Sequence, residues 1–179
     1  DDKGASSGSA YFFTVCQEFI PEGPDQQGKL TASDGAASDY LGSSVSVSGD
    51  TALVGAYQDD DKGPGSGTAY LYSRSGTSWS LQGKLTASDG AANDAFGRSV
   101  SVSGDTALVG ARQDDDRGLD SGSAYLFSRS GTSWSQQGKL TASDGAANDR
   151  LGVSVSAGGD THLAVPTNSE EKGSVAGAA

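Results

Sequence analysis

Two ways of placing apolar side chains alternate along the chain, and the segment from 97 to 142 shows both. From Arg98 to Ser103, Val100 and Val102 are flanked by small polar residues. That period of two predicts a strand with one buried face. Gly104-Asp105 is a two-residue hairpin signal. Thr106 to Ala111 is then a continuous apolar run, short for a helix, which predicts a strand covered on both faces. After an acidic loop from Gln113 to Asp120, Ser123 to Phe127 forms a third, aromatic strand. Ser130-Gly131 marks a second hairpin, and Ser133 to Ala142 reads as a fourth strand. Ser143 to Asp149 is a connection. No segment keeps a helical period over ten residues.

The same text recurs. KLTASDGAA begins at Lys29, Lys84 and Lys139, a spacing of 55 residues. SVSVSGDTALVGA begins at Ser44 and Ser99, and returns from Ser154 altered to SVSAGGDTHLAVP. GSAY or GTAY stands at Gly8, Gly67 and Gly122, where the first interval is 59 because the divergent stretch 14–27 replaces SRSGTSWSLQ. The expected organisation is one array over residues 1–179: the C-terminal half of a unit (1–41), two whole units (42–96 and 97–151) and an N-terminal half (152–179). Four antiparallel strands joined as a meander form the blade of a β-propeller. The fold class is therefore all-β, with about three blades' worth of strands. One such sheet cannot bury both faces alone, so neighbouring units must stack.

Composition agrees with thin layers in place of one large core. Of 179 residues 27 are Gly, hydrophobic residues make up 34% and aromatics only 7%. A formal net charge of −11 repels nucleic acid and anionic lipid, so neither is expected as a partner. No apolar run reaches the roughly 20 residues of a membrane-spanning helix, so membrane insertion is not expected. The single cysteine, Cys16, cannot form a disulfide within the chain and reads as a small buried hydrophobe.

Phe96-Gly97 with Ser99-Val100, followed by Leu108-Val109-Gly110-Ala111, resembles the FG-GAP repeat. The other copies are Leu41-Gly42 with Gly55-Ala56, and Leu151-Gly152 with Ala164-Val165-Pro166. The resemblance implies the β-propeller blade of integrin α subunits and related surface proteins. It implies an extracellular or cell-surface setting, a protein or glycan ligand, and no enzymatic activity. Calcium-binding members carry an alternating acidic loop between the first two strands. Here that loop is cut to Ser48-Gly49-Asp50, Ser103-Gly104-Asp105 and Gly158-Gly159-Asp160, and one carboxylate cannot supply the about six to eight oxygens calcium takes. Calcium at that place is therefore not expected.

Other candidates have a chemical and a plain reading. Asp59 and Asp61, and their equivalents Asp114 and Asp116, are alternate carboxylates that could meet a cation such as calcium. The plain reading is a solvated loop that keeps sheet edges apart by charge. In SDGAAND, residues Asp89, Asn93 and Asp94, with Asp144, Asn148 and Asp149, are expected to cap the turn between units. Trp79 and Trp134 are sugar-stacking platforms if exposed and inter-unit packing if not. His162 replaces Ala52 and Ala107 and has no recurring catalytic partner. Catalysis needs one asymmetric constellation, and near-identical units suit a scaffold, a multivalent binder or a polymer.

Three blades should not close a ring, which needs about four to eight. A longer parent protein, a six-bladed ring of two chains, or head-to-tail addition of copies into a fibre would each resolve the shortfall. The functional expectation is a non-enzymatic extracellular scaffold or adhesion module, with a self-assembling structural subunit of a fibre or ring as the first alternative and an enzyme of unknown type as the second.

Overall fold

A computed structural model describes residues 3–14, 25–167, 170–171 and 174–175. Cys16 and most of the divergent stretch 14–27 lie outside them. The described elements are all strands: β1 (Ala10–Thr14), β2 (Asp25–Leu30), β3 (Ser44–Ser48), β4 (Thr51–Ala56), β5 (Thr68–Ser75), β6 (Ser78–Leu85), β7 (Phe96–Ser103), β8 (Thr106–Ala111), β9 (Ser123–Ser130), β10 (Ser133–Leu140), β11 (Ser154–Gly158), β12 (Thr161–Val165), β13 (Glu170–Glu171) and β14 (Ser174–Val175).

β3-β4-β5-β6 and β7-β8-β9-β10 are two complete antiparallel meanders. β1-β2 forms the outer half of a blade before them and β11-β12 the inner half of a blade after them, while β13 pairs only with β14. The sheets are propeller-type blades, and they do not close on one another among the described residues. The predicted strands fall where the periodicity placed them. The first strand of the second blade begins two residues earlier than expected, at Phe96, because Phe96 pairs with Ala111 before the register shifts. Gly49, Gly104 and Gly159 take φ of 58°, 56° and 54° at the first turn position, the geometry of a tight hairpin with glycine leading.

The alternation in the inner strands divides two jobs between two neighbours. Serines of one blade point forward to the next. Ser44 Oγ donates to the carbonyl of Gly97 (2.8 Å), and the amides of Val102 and Gly104 donate to Ser46 Oγ (3.0 Å) and Ser48 Oγ (3.1 Å). One blade later, Ser99 Oγ donates to Gly152 (2.7 Å), and the Ala157 amide donates to Ser101 Oγ (2.9 Å). Valines point back. Val100 and Val102 are only 8% and 5% exposed against the preceding blade. Val45 and Val47 occupy the same positions in β3, where no inner strands precede them among the described residues, and they are 59% and 62% exposed.

Two apolar clusters fill the gaps between blades. One joins Leu53, Leu71 and Leu85 to Phe96, Val100, Val109, Tyr125 and Phe127. The other joins Ala10, Leu30 and Leu41 to Ala52, Val54, Tyr70 and Tyr72. Trp134 packs on the first, and Trp79 packs on the second with Phe12 of the preceding half-blade 6.0 Å away. Both tryptophans therefore serve inter-blade packing, and each carries an arginine over its ring, Arg74 at 5.7 Å and Arg129 at 5.6 Å.

The two signature glycine positions meet in this gap. A Cβ on Gly55 would overlap the Gly97 carbonyl of the next blade, and a Cβ on Gly110 would overlap that of Gly152. Gly97 and Gly152 themselves have φ of 84°. The motif is thus a backbone-to-backbone joint between consecutive repeats.

Candidate functional site

The acidic loops fold inward. Between β8 and β9 the Asp114 side chain is buried, and the chain turns tightly enough for the Asp116 amide to donate to Asp114 Oδ1 (3.1 Å). Ser123 Oγ donates to that same oxygen at 3.0 Å. Tyr125, fully buried on β9, places its hydroxyl 2.7 Å from Asp114 Oδ2 and 2.9 Å from Asp89 Oδ1. A hydroxyl has one proton and can serve only one carboxylate at a time. The charge is balanced by Lys139 of β10, whose Nζ lies 2.8 Å from Asp89, 2.8 Å from Asp114 and 2.6 Å from Asp116. Its ammonium also stands 5.1 Å from the centre of the Tyr125 ring.

The first full repeat builds the same object. Tyr70 lies 2.8 Å from Asp59 and 3.0 Å from Asp34, and Thr68 Oγ1 donates to Asp59 at 2.9 Å. Lys84 pairs with Asp34 at 2.5 Å and with Asp61. Asp34 and Asp89 come from the connection ahead of each blade, so each cluster ties one repeat to the linker of the previous one.

The electrostatics follow from this closure. Burial pushes the Tyr125 and Tyr70 hydroxyls far above the ordinary tyrosine range, and the carboxylates bonded to them push the same way. Burial alone would lower Lys139, but three carboxylates outweigh it and hold the ammonium charged well above its usual range. Burial tends to raise Asp89, yet Lys139 and Tyr125 hold it below the ordinary value, and Asp34 is held down likewise by Lys84 and Tyr70.

The sequence-predicted residues are therefore brought together in pairs. Asp114 accepts from the Asp116 amide and Asp59 from the Asp61 amide, each at 3.1 Å. The solvated-loop reading is corrected for Asp59 and Asp114, which are 4% and 3% exposed because tyrosine and lysine reach them from neighbouring strands. Among the described residues, Asp89, Asp114 and Asp116 form a group whose oxygens lie within 4.8 Å of one another. An ammonium already stands among those oxygens, so the donor set does not fit calcium. At the shortened family loop, Asp105 is taken by Arg129 (2.7 Å) and Asp50 by Arg74 (2.9 Å), which does not fit calcium either.

The linker motif divides as its chemistry allows. Asp39, Asp94 and Asp149 are buried and accept from the amides of Ala36 (2.6 Å), Ala91 (2.7 Å) and Ala146 (2.7 Å), the expected turn caps. Burial raises the Asp94 carboxyl to about 6, with Asp114 and Asp115 adding to it. Asn93 and Asn148 take left-handed backbone, φ 71° and 70°, that asparagine tolerates. Asp89 instead joins the lysine cluster. His162 lies half-buried on β12 with no bond to its Nδ1. Sequence reasoning missed Tyr70, Tyr125, Lys84 and Lys139 as partners of the acidic loops. The available signal was phase, since GTAY or GSAY and KLTASDG recur at fixed distances from the aspartates.

Between the two full blades, an outer cleft of about 110 Å³ is lined by Thr51, Tyr72, Gln82, Arg129 and Trp134. The Tyr72 hydroxyl is buried there without a bonded partner, and burial raises it to about 12.

Antiparallel four-stranded blades, stacked through glycine joints and repeating the same polar clusters, define a β-propeller-type repeat module. Protein-family comparison matches the FG-GAP repeat in three consecutive copies, at residues 24–72, 79–127 and 134–179. The chain belongs to the FG-GAP repeat family. No curated protein matches it.

Proposed function

We propose that the chain is a non-enzymatic extracellular scaffold that binds protein or glycan partners through its repeated surface. The observation that carries this reading is the pair of lysine–tyrosine–aspartate clusters. The same groups meet in the same roles 55 residues apart, as Tyr70 with Asp59 and Tyr125 with Asp114 show. Groups spent on each other in every repeat organise blades; a reaction centre needs a group held ready for a substrate. Membership of the FG-GAP family and a net charge of −11 support a surface setting. Among the described residues no helix is long and apolar enough to cross a membrane.

The test immobilises the chain against a panel of purified glycans and extracellular proteins. Saturable binding, competed by free chain, is expected. Absence of binding across the panel, or conversion of a panel member to product, would overturn the reading.

A further inference from the structure

We propose that the end of the array marked by Tyr40, Tyr57, Arg98 and Arg112 binds an oligosaccharide carrying one acidic sugar, with its neutral rings on the tyrosines and its carboxylate on the arginines. This deepens the glycan reading above and rests on it.

The two whole units carry almost the same text, so the positions where they differ are informative. Lys62, Thr68 and Tyr72 change only to Arg117, Ser123 and Phe127. Arg98, Arg112 and Arg150, however, stand where the preceding unit has Ser43, Tyr57 and Ala95. These positions lie at one end of the inner hairpins. Tyr40 and Arg150 come just ahead of β3 and β11, and Arg98 sits where the β7 register shifts before Ser99. Tyr57 and Arg112 directly follow β4 and β8. First strands begin and second strands end on the same side of an antiparallel hairpin, so the two sets share that side. The units keep one scaffold and differ in charge at this end.

The arginines here are less engaged than cations elsewhere. Arg74, Arg129, Lys84 and Lys139 each hold an aspartate. Arg150 reaches Asp120 at 3.7 Å. Arg98 and Arg112 pair with no carboxylate among the described residues, in a chain with 23 acidic side chains and 12 basic ones. Arg98 lies over the Tyr57 ring at 5.4 Å, and Tyr40 stacks on Tyr57 at 5.5 Å. Arg112 is half-buried, and its Nε is buried with no bonded partner. A buried donor without an acceptor costs free energy, and a carboxylate offers two acceptors to a guanidinium fork. Tyr40 is 43% exposed, which leaves ring surface for the apolar C–H face of a sugar. Its backbone is left-handed, φ 55°, where a bulky side chain is uncommon, and strain of that kind gathers at binding sites. The stack of two rings and a guanidinium is longer than one sugar ring, so an oligomer fits it. A net charge of −11 opposes a polyanion, so the oligomer carries one carboxylate on otherwise neutral sugars.

Calorimetric titration tests this with three sugars: a trisaccharide ending in glucuronate, its methyl ester, and the same trisaccharide ending in glucose. The glucuronate form should bind the natural chain, and the other two should bind about tenfold more weakly or worse. Arg98→Gln and Arg112→Gln should each bring the glucuronate form down to the level of the ester. Tyr40→Ala should weaken it as well, and Arg117→Gln, on the exposed acidic loop, should change nothing. The three-sugar comparison uses the natural chain, so it stands even if a variant melts early. Equal affinity for the three sugars, no binding of the glucuronate form, or glucuronate binding untouched by both arginine changes would overturn the site. If the chain then binds other members of the panel above, this inference falls alone; if it binds none, the binding reading falls with it. A peptide with a single glutamate that binds as tightly, and loses this on Arg112→Gln, would overturn the sugar assignment.

Discussion

β3 and β7 carry the same Ser-Val-Ser-Val-Ser text and sit in two different worlds. In β7 both valines are buried against a neighbour; in β3 both are more than half exposed. Local sequence sets the strand and decides which side chains share a face, but not whether that face is covered. Coverage comes from the preceding repeat, and the glycine joint lets the two repeats approach closely. β12 gives the reverse lesson. It pairs with β11 in the register that β8 keeps with β7, yet a valine, Val165, stands where β8 has Gly110.

The sharpest way to break this contrast is to give β8 the residue of β12. Gly110→Val puts a side chain into the Gly152 carbonyl and should cost about 3 kcal/mol, at the upper end for overpacking. The melting temperature should fall by roughly 6–12 °C, given about 2–4 °C per kcal/mol for a chain of this size. Val165→Gly, half-buried and with no described blade against it, should cost about 1 kcal/mol, the ordinary penalty of glycine within a strand, and shift the melt by about 2–4 °C.

Lys139→Met removes the counter-charge of buried Asp114 and should cost about 3 kcal/mol in chemical denaturation. Lys84→Met should cost less, because Asp34 and Asp61, which it pairs, are 49% and 37% exposed. Equal losses would mean that burial of the carboxylate does not control the cluster.

Val102→Ala should cost about 2 kcal/mol, two buried methyl groups plus a cavity. Val47→Ala should cost under about 0.5 kcal/mol. The same denaturation curves compare the two.

The pH dependence has two opposing arms. Asp34 and Asp89 have depressed values in the fold, so their stabilisation is present above pH 3.8 and is lost as pH falls through the folded value. Asp94 is raised to about 6, so its carboxyl favours the fold below 3.8 and loses that contribution as pH rises through 6. Melting temperature should therefore rise on going from pH 7 to pH 5 and collapse well below pH 3.8. Asp94→Asn keeps an acceptor for Ala91 and should flatten the rise between pH 7 and pH 5 while leaving the loss at low pH.

Much of this architecture is legible from period and repetition. The two-residue alternation, the apolar run of β4 and β8, and the glycine turns mark the strands almost to the residue. The acidic loops mislead because their partners lie on other strands: Lys139 is 25 residues beyond Asp114, and Asp89 is 25 before it. Charge runs look solvated until a distant cation is known to reach them. The serines of β3 and β7 also look like surface filler, yet Ser44 and Ser99 donate to carbonyls of the next blade and Ser46, Ser48 and Ser101 accept its amides, a role visible only once blades are stacked. Nothing local to Val45 or Val47 separates them from Val100 and Val102.

Amide hydrogen exchange at Val47 and Val102, read in the same dilute sample, tests the central contrast most directly. The Val102 amide donates to Ser46 Oγ across the blade gap, while the equivalent amide of Val47 faces the open side of β3. Val102 should exchange slowly and Val47 fast. Equal protection of the two amides in the chain alone would show that the β3 face is already covered and would contradict the account.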